Sequence, residues 1–100
     1  MTGAGGPGAV AISDRAFTKI ATEVAAEDDR IAGRPHVEAS VSGGVAAVRY
    51  RLAIRYPAPV RQVTSEVRHH VRQRMRELTG IDVESVDIDV VGLVPVEEAP

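Results

Sequence analysis

The chain divides by the period of its apolar positions. Phe17, Ile20, Ala21, Val24 and Ala25 fall at i, i+3, i+4, i+7 and i+8, a single stripe along an α-helix. Ser13 or Asp14 supplies the cap at its start. The spacing predicts a first helix over residues 14–28, fraying at Glu27-Asp28-Asp29, where carboxylates meet the negative end of the helix dipole. Gly33 and Pro35 then close the segment. Val37, Ala39 and Val41 alternate with His36, Glu38, Ser40 and Ser42, the period-two pattern of a half-buried strand. Gly43-Gly44 reads as a two-residue hairpin turn. Beyond it a second alternating run puts Val48, Tyr50, Leu52, Ile54 and Tyr56 on the core face and Ala47, Arg49, Arg51, Ala53 and Arg55 on the wet one.

Pro57 and Pro59 stop that strand and suit the entry to a helix. Val60, Val63, Val67, Val71, Met75 and Leu78 then step by three and four, a stripe of about five turns. Gly80 follows as the residue that takes a left-handed C-terminal cap without strain. Val86, Ile88 and Val90 alternate with Asp87 and Asp89, whereas Ile81 and Val83 are out of phase with them. A bulge or bend near Glu84-Ser85 reconciles the two registers. Residues 94–100 read as an acidic, unpaired tail, and the glycine-rich residues 1–8 as a flexible one, leaving residues 9–93 as a single domain. The short run Ala9-Val10-Ala11-Ile12 suits either an edge strand or the lead-in to the first helix.

The resulting order is (β)-α-β-β-α-β, an α+β domain with two helices on one face of a small mixed sheet. The long helix makes a right-handed crossover, so the last strand runs parallel to the strand before that helix. Whether the first run inserts between those two strands, as in a ferredoxin-like sheet, stays open.

Composition narrows the chemistry. One hundred residues make one domain, and three aromatics leave a core of Val, Ile, Leu and Ala. Without cysteine there is no disulfide, thiolate cluster or thiol nucleophile. No apolar run approaches a membrane span, and the N-terminus lacks the basic and apolar regions of a signal peptide. The net charge of −2 hides a polarised chain: residues 45–80 hold eight arginines against two glutamates, and residues 81–100 hold six acids and no base. Arg61, Arg68, Arg72 and Arg76 share one edge of the second helix, the last three at i+4 steps where like charges repel by about 0.2–0.5 kcal/mol per pair. Asp82, Glu84, Asp87, Asp89 and solvent neutralise that field in the plainest reading; an acidic protein partner or a second copy is the alternative. Nucleic acid or anionic lipid is the third option, with few aromatics to stack on bases and an acidic chain overall. Eleven arginines against one lysine, among abundant Ala, Val and Gly, also match the codon bias of a GC-rich genome.

No catalytic, cofactor or metal set emerges. Gly3, Gly5 and Gly8 satisfy G-x-G-x-x-G without the preceding strand such a motif needs. His69 and His70 are helix neighbours that diverge, not an i, i+4 zinc pair, and His36 lies on the polar face of a strand. Asp87 and Asp89 share a strand face, where pairing with an arginine across the sheet accounts for them better than a cation does. Five serines occur, none in a nucleophile elbow.

The segments G-A-V-A-I-S-D-R-A at Gly8–Ala16, V-T-S-E-V-R-H-H-V-R-Q-R-M-R-E-L-T-G-I at Val63–Ile81 and V-E-S-V-D-I-D-V at Val83–Val90, with the hairpin that ends in Tyr56, carry a resemblance. Together they resemble the alkaline shock protein family, the envelope stress response family of Gram-positive bacteria, over residues 8–93. The resemblance implies a non-enzymatic cytoplasmic protein at the inner face of the membrane, gathered there by self-assembly and a membrane-anchored partner. No catalytic residues carry over. The edge strands and the Arg61, Arg68, Arg72 and Arg76 stripe, with Arg49, Arg51 and Arg55 on the wet strand face, are the candidate partner-binding residues, and the basic and acidic segments offer a head-to-tail contact between copies. The rival readings are a KH-like or ferredoxin-like nucleic-acid module and a regulator of a lipid or envelope biosynthetic enzyme.

Overall fold

The structure, a computed structural model, describes residues 12–96. Its elements are α1 (Asp14–Ala25), β1 (Ile31–Ser42), β2 (Val45–Tyr56), α2 (Val60–Thr79) and β3 (Asp82–Pro95). This is the expected α+β fold with a three-strand mixed sheet in the order β1-β2-β3. β1 and β2 pair antiparallel through the Gly43-Gly44 turn, where both glycines take positive φ. β2 and β3 pair parallel, directly and from Val45↔Asp82 to Tyr56↔Pro95, so no strand inserts between them. Of the run at residues 9–12, Ile12 is coil packed against the core, and Ala9–Ala11 lie outside the described residues, as does the expected tail 1–8.

Both helices cover one face of the sheet. Phe17, Ala21, Val24 and Ala25 from α1 and Val63, Val67, Val71 and Met75 from α2 are buried against Ala46, Val48, Tyr50, Leu52 and Ile54 of β2. Tyr50 is the sole aromatic of β2 in that core, and its hydroxyl donates to Ala21 O at 2.7 Å, which satisfies the one polar atom that a ring at the sheet centre brings in. Burial pushes the Tyr50 hydroxyl pKa upward. Ser13 caps α1 by accepting from Ala16 N at 3.0 Å, and Gly80 closes α2 with φ 74° and its N–H on Arg76 O.

Three boundaries depart from the pattern. α1 stops at Ala25 rather than 28, because Asp28 turns the chain by accepting from the Arg30 backbone N–H at 2.9 Å. β1 begins at Ile31, so Gly33 and Pro35 lie inside it rather than ending a segment: Gly33 at φ 68° sits in an irregularity between the Ala32↔Ala53 and His36↔Arg51 pairs. The pairing gains two residues there, an even number, so Ile31, Pro35 and Val37 still face the core. β3 has the expected bulge at Glu84 and a second one at Val91. It continues to Pro95, and Val96 N donates to Tyr56 O at 2.7 Å, so residues 94–96 belong to the sheet and not to an unpaired tail; residues 97–100 lie outside the described residues.

Two stripe residues end outside the core, Leu78 at 51% and Tyr56 at 52% exposure, because each lies at the last turn or last pair of its element. The contrast is testable by urea unfolding. Met75→Ala is expected to cost about 2–5 kcal/mol by opening a cavity under α2, whereas Leu78→Ala, in the same sequence stripe, stays within about 0.5 kcal/mol at unchanged m-value.

Candidate partner-binding surface

α2 carries two charged edges. The inner one faces α1 and the turn that follows it. Glu27 accepts from His70 Nε2 at 2.7 Å and from Arg74 at 3.1 and 3.2 Å, and Arg74 also reaches Glu77 at 3.0 Å. Arg30 bridges Asp28 at 2.7 Å and Glu66 at 2.8 Å. These contacts hold the Glu27 carboxyl below its usual range, chiefly through Arg74 and then His70, and Asp28 likewise through Arg30. Glu66 is lowered by Gln62 and Arg30. The sequence pattern did not reveal this seam. Glu66, His70 and Arg74 do repeat at i+4, but their partners come from Glu27, Asp28 and Arg30 in a turn that only the fold brings alongside.

The outer edge faces β3 and holds the sequence candidates. Arg76 pairs with Asp82 at 3.0 Å, and Arg72 donates to the backbone oxygen of Glu84 at 3.4 Å. Arg61 and Arg68 have no side-chain partner among the described residues. Of the four acids expected to neutralise the stripe, Asp82 alone forms an ion pair with it, because Asp87 and Asp89 lie on the opposite face of the sheet. His69, Arg72, Gln73, Arg76, Asp82 and Val83 line an open groove of about 690 Å³ between α2 and the start of β3.

Arg49 and Arg51 sit elsewhere. On the helix-free face of the sheet, Arg49 lies between Glu38 of β1 and Asp87 of β3, and Arg51 between His36 and Asp89. This is the cross-strand arrangement expected for the two aspartates, although no pair there closes to an ion pair. Glu38, Ser40, Arg49, Ser85 and Asp87 line a shallow depression of about 340 Å³. Arg55 turns away to donate to Asp29 O at 2.8 Å. The seven candidate arginines therefore divide between two sides of the domain. Only Arg61, Arg68, Arg72 and Arg76 form one row.

His69 lines the groove, His70 is engaged by Glu27, and His36 lies 3.6 Å from Glu38 on the strand face. Among the described residues no three His, Asp or Glu side chains gather as a metal cluster, and no helix is long and apolar enough to cross a membrane. What the row supplies is fixed positive charge at a regular spacing, suited to carboxylates or other anions.

Residues 7–95 match the alkaline shock protein 23 family, described as having a cell envelope-related function. The chain belongs to that family. No curated protein matches it. Among solved structures it is similar to the MamM CTD in a manganese form (TM-score 0.57, 17% identity, 78% of this chain and 96% of that one). It is also similar to the same domain in a zinc form (TM-score 0.56, 17% identity, 84% and 87%). At that identity the likeness is one of fold, and the metals belong to those proteins.

The inner seam predicts the acid limb of stability. Glu27 and Asp28 have folded pKa values below their unfolded ones, so the folded state binds fewer protons; their contribution is complete above the unfolded values and is lost as pH falls through the lower, folded ones. Urea titrations from pH 7 down to pH 3 are expected to show a shallower loss of stability below about pH 5 in Glu27→Gln than in the parent chain. Parallel acid limbs would deny the seam that role.

Proposed function

We propose that this chain is a non-enzymatic scaffold of the cell envelope that holds an acidic protein partner along the outer edge of α2. The observation that carries this reading is the row Arg61, Arg68, Arg72 and Arg76, four guanidinium groups on one helix edge against a single ion-paired acid, Asp82. Three of them repeat every four residues, a like-charge arrangement that an anionic partner relieves. Arginine suits the task because its planar fork binds carboxylates two bonds at a time and is only weakly hydrated.

Family membership supports placing the partner at the envelope. A membrane-anchored protein with an acidic segment on the cytoplasmic side would gather this domain at the inner face of the membrane without a span of its own. Complementary charge then sets orientation and encounter rate more than affinity.

The test is capture from the membrane fraction of the native cell with a tagged chain. The parent is expected to retain a membrane-anchored protein, and Arg68→Gln/Arg72→Gln/Arg76→Gln to retain at least tenfold less at an unchanged thermal unfolding midpoint. Equal capture by the triple variant would overturn the reading, as would RNA in place of protein, lost steeply as salt is raised.

A further inference from the structure

β3 pairs with β2 along one edge, and among the described residues nothing pairs with the other. α2 runs antiparallel to β3 beside that free edge. Arg76 meets Asp82 and Arg72 meets Glu84 O, so four residues back along the helix correspond to two residues forward along the strand. The match is geometric: four helical residues rise about 6 Å and two strand residues about 6.7 Å. Continued at that step, Arg68 stands abreast of Val86 and Asp87, and Arg61 abreast of Val90. A strand laid along the free edge would carry every second side chain past one arginine after another.

We propose that the free edge of β3 accepts an extended segment of the partner protein as a fourth strand, with carboxylates at alternate positions meeting Arg76, Arg72 and Arg68. The inference rests on the reading of α2 as the protein-binding edge, and it specifies the conformation and side-chain pattern of what binds. Main-chain hydrogen bonds to β3 supply affinity and the arginines supply selection, the division of labour of strand addition. Beyond the acidic stretch, Val91, Leu93 and Val94 stand half-exposed at the same edge, so the segment continues with apolar side chains. Pro95 ends it: the Val96 amide is spent on Tyr56 O, which leaves the Pro95 nitrogen, without a hydrogen, facing the free edge.

The occupant is another protein rather than the β3 edge of a second copy. A second β3 joined about a two-fold axis normal to the sheet keeps its helix-side face on the helix side. It would bring Val86, Ile88 and Val90 to the arginines, not carboxylates.

The experiment uses the full chain, isotopically labelled, and a twelve-residue peptide with glutamate at alternate positions and threonine between. Controls are the same peptide N-methylated at odd or at even residues, and an isomer with its glutamates consecutive. Expected are shifts and slowed exchange of β3 amides, binding at least tenfold tighter than the consecutive isomer, and loss in only one of the two N-methylated versions. Arg68→Gln/Arg72→Gln/Arg76→Gln should weaken the parent peptide at least tenfold. Equal binding of both N-methylated peptides would overturn strand addition while leaving the acidic-partner reading intact. No binding of any acidic peptide at low salt would remove both. Sedimentation showing that the peptide dissociates a dimer of the chain would assign the edge to a second copy and overturn the proposal.

Discussion

The crossover from β2 through α2 to β3 is the constraint on which the rest of the domain depends. Parallel strands require a long connection, and here the connection is itself the main cover of the sheet: Val63, Val67, Val71 and Met75 are all buried beneath it. Once that stripe faces down, the remaining faces of α2 have no freedom. One edge must meet α1, and the other must overhang β3. The arginine row lies over the free strand edge for the same reason that the valines lie in the core, since both are fixed by the rotation of a single helix.

Much of this was legible because the fold has one apolar face and each element marks it at its own period. The glycines at 43, 44 and 80 lie where the chain needs positive φ, and the phase slip between Val83 and Val86 announced the bulge at Glu84. The entry to β1 was illegible for an equally physical reason. Gly33 and Pro35 are ordinary terminators, yet a sheet edge tolerates both when an irregularity absorbs an even number of residues and the core parity survives. The same tolerance let β3 run through Pro95.

The charged residues were harder to read than the apolar ones. Arginine abundance says nothing of placement, and periodicity could mark the row on α2 but not which arginines have partners. Arg74 and Arg30 proved to be structural, tied to Glu27, Asp28 and Glu66 across the α1–α2 seam. Arg49 lies between Glu38 and Asp87, and Arg51 between His36 and Asp89, so the arginines of that face are interleaved with acids in the sheet. Helical charges find partners on elements distant in sequence, and only tertiary contacts separate those that are paired from those that are free.

That separation bears on how β3 manages its exposure. A long unpaired strand edge is a hazard, and this one is treated differently along its length. At its start Arg76 and Arg72 reach over Asp82 and the Glu84 carbonyl, and the Glu84 bulge interrupts the flat template; at its end Pro95 withholds a donor. Between these two ends the free edge of β3 is unpaired among the described residues, and Arg68, on the same edge of α2, has no side-chain partner among them. Codon bias can account for the number of arginines. It cannot account for their placement, with Arg76 and Arg72 reaching β3 and Arg68 and Arg61 on the same helix edge without a side-chain partner among the described residues.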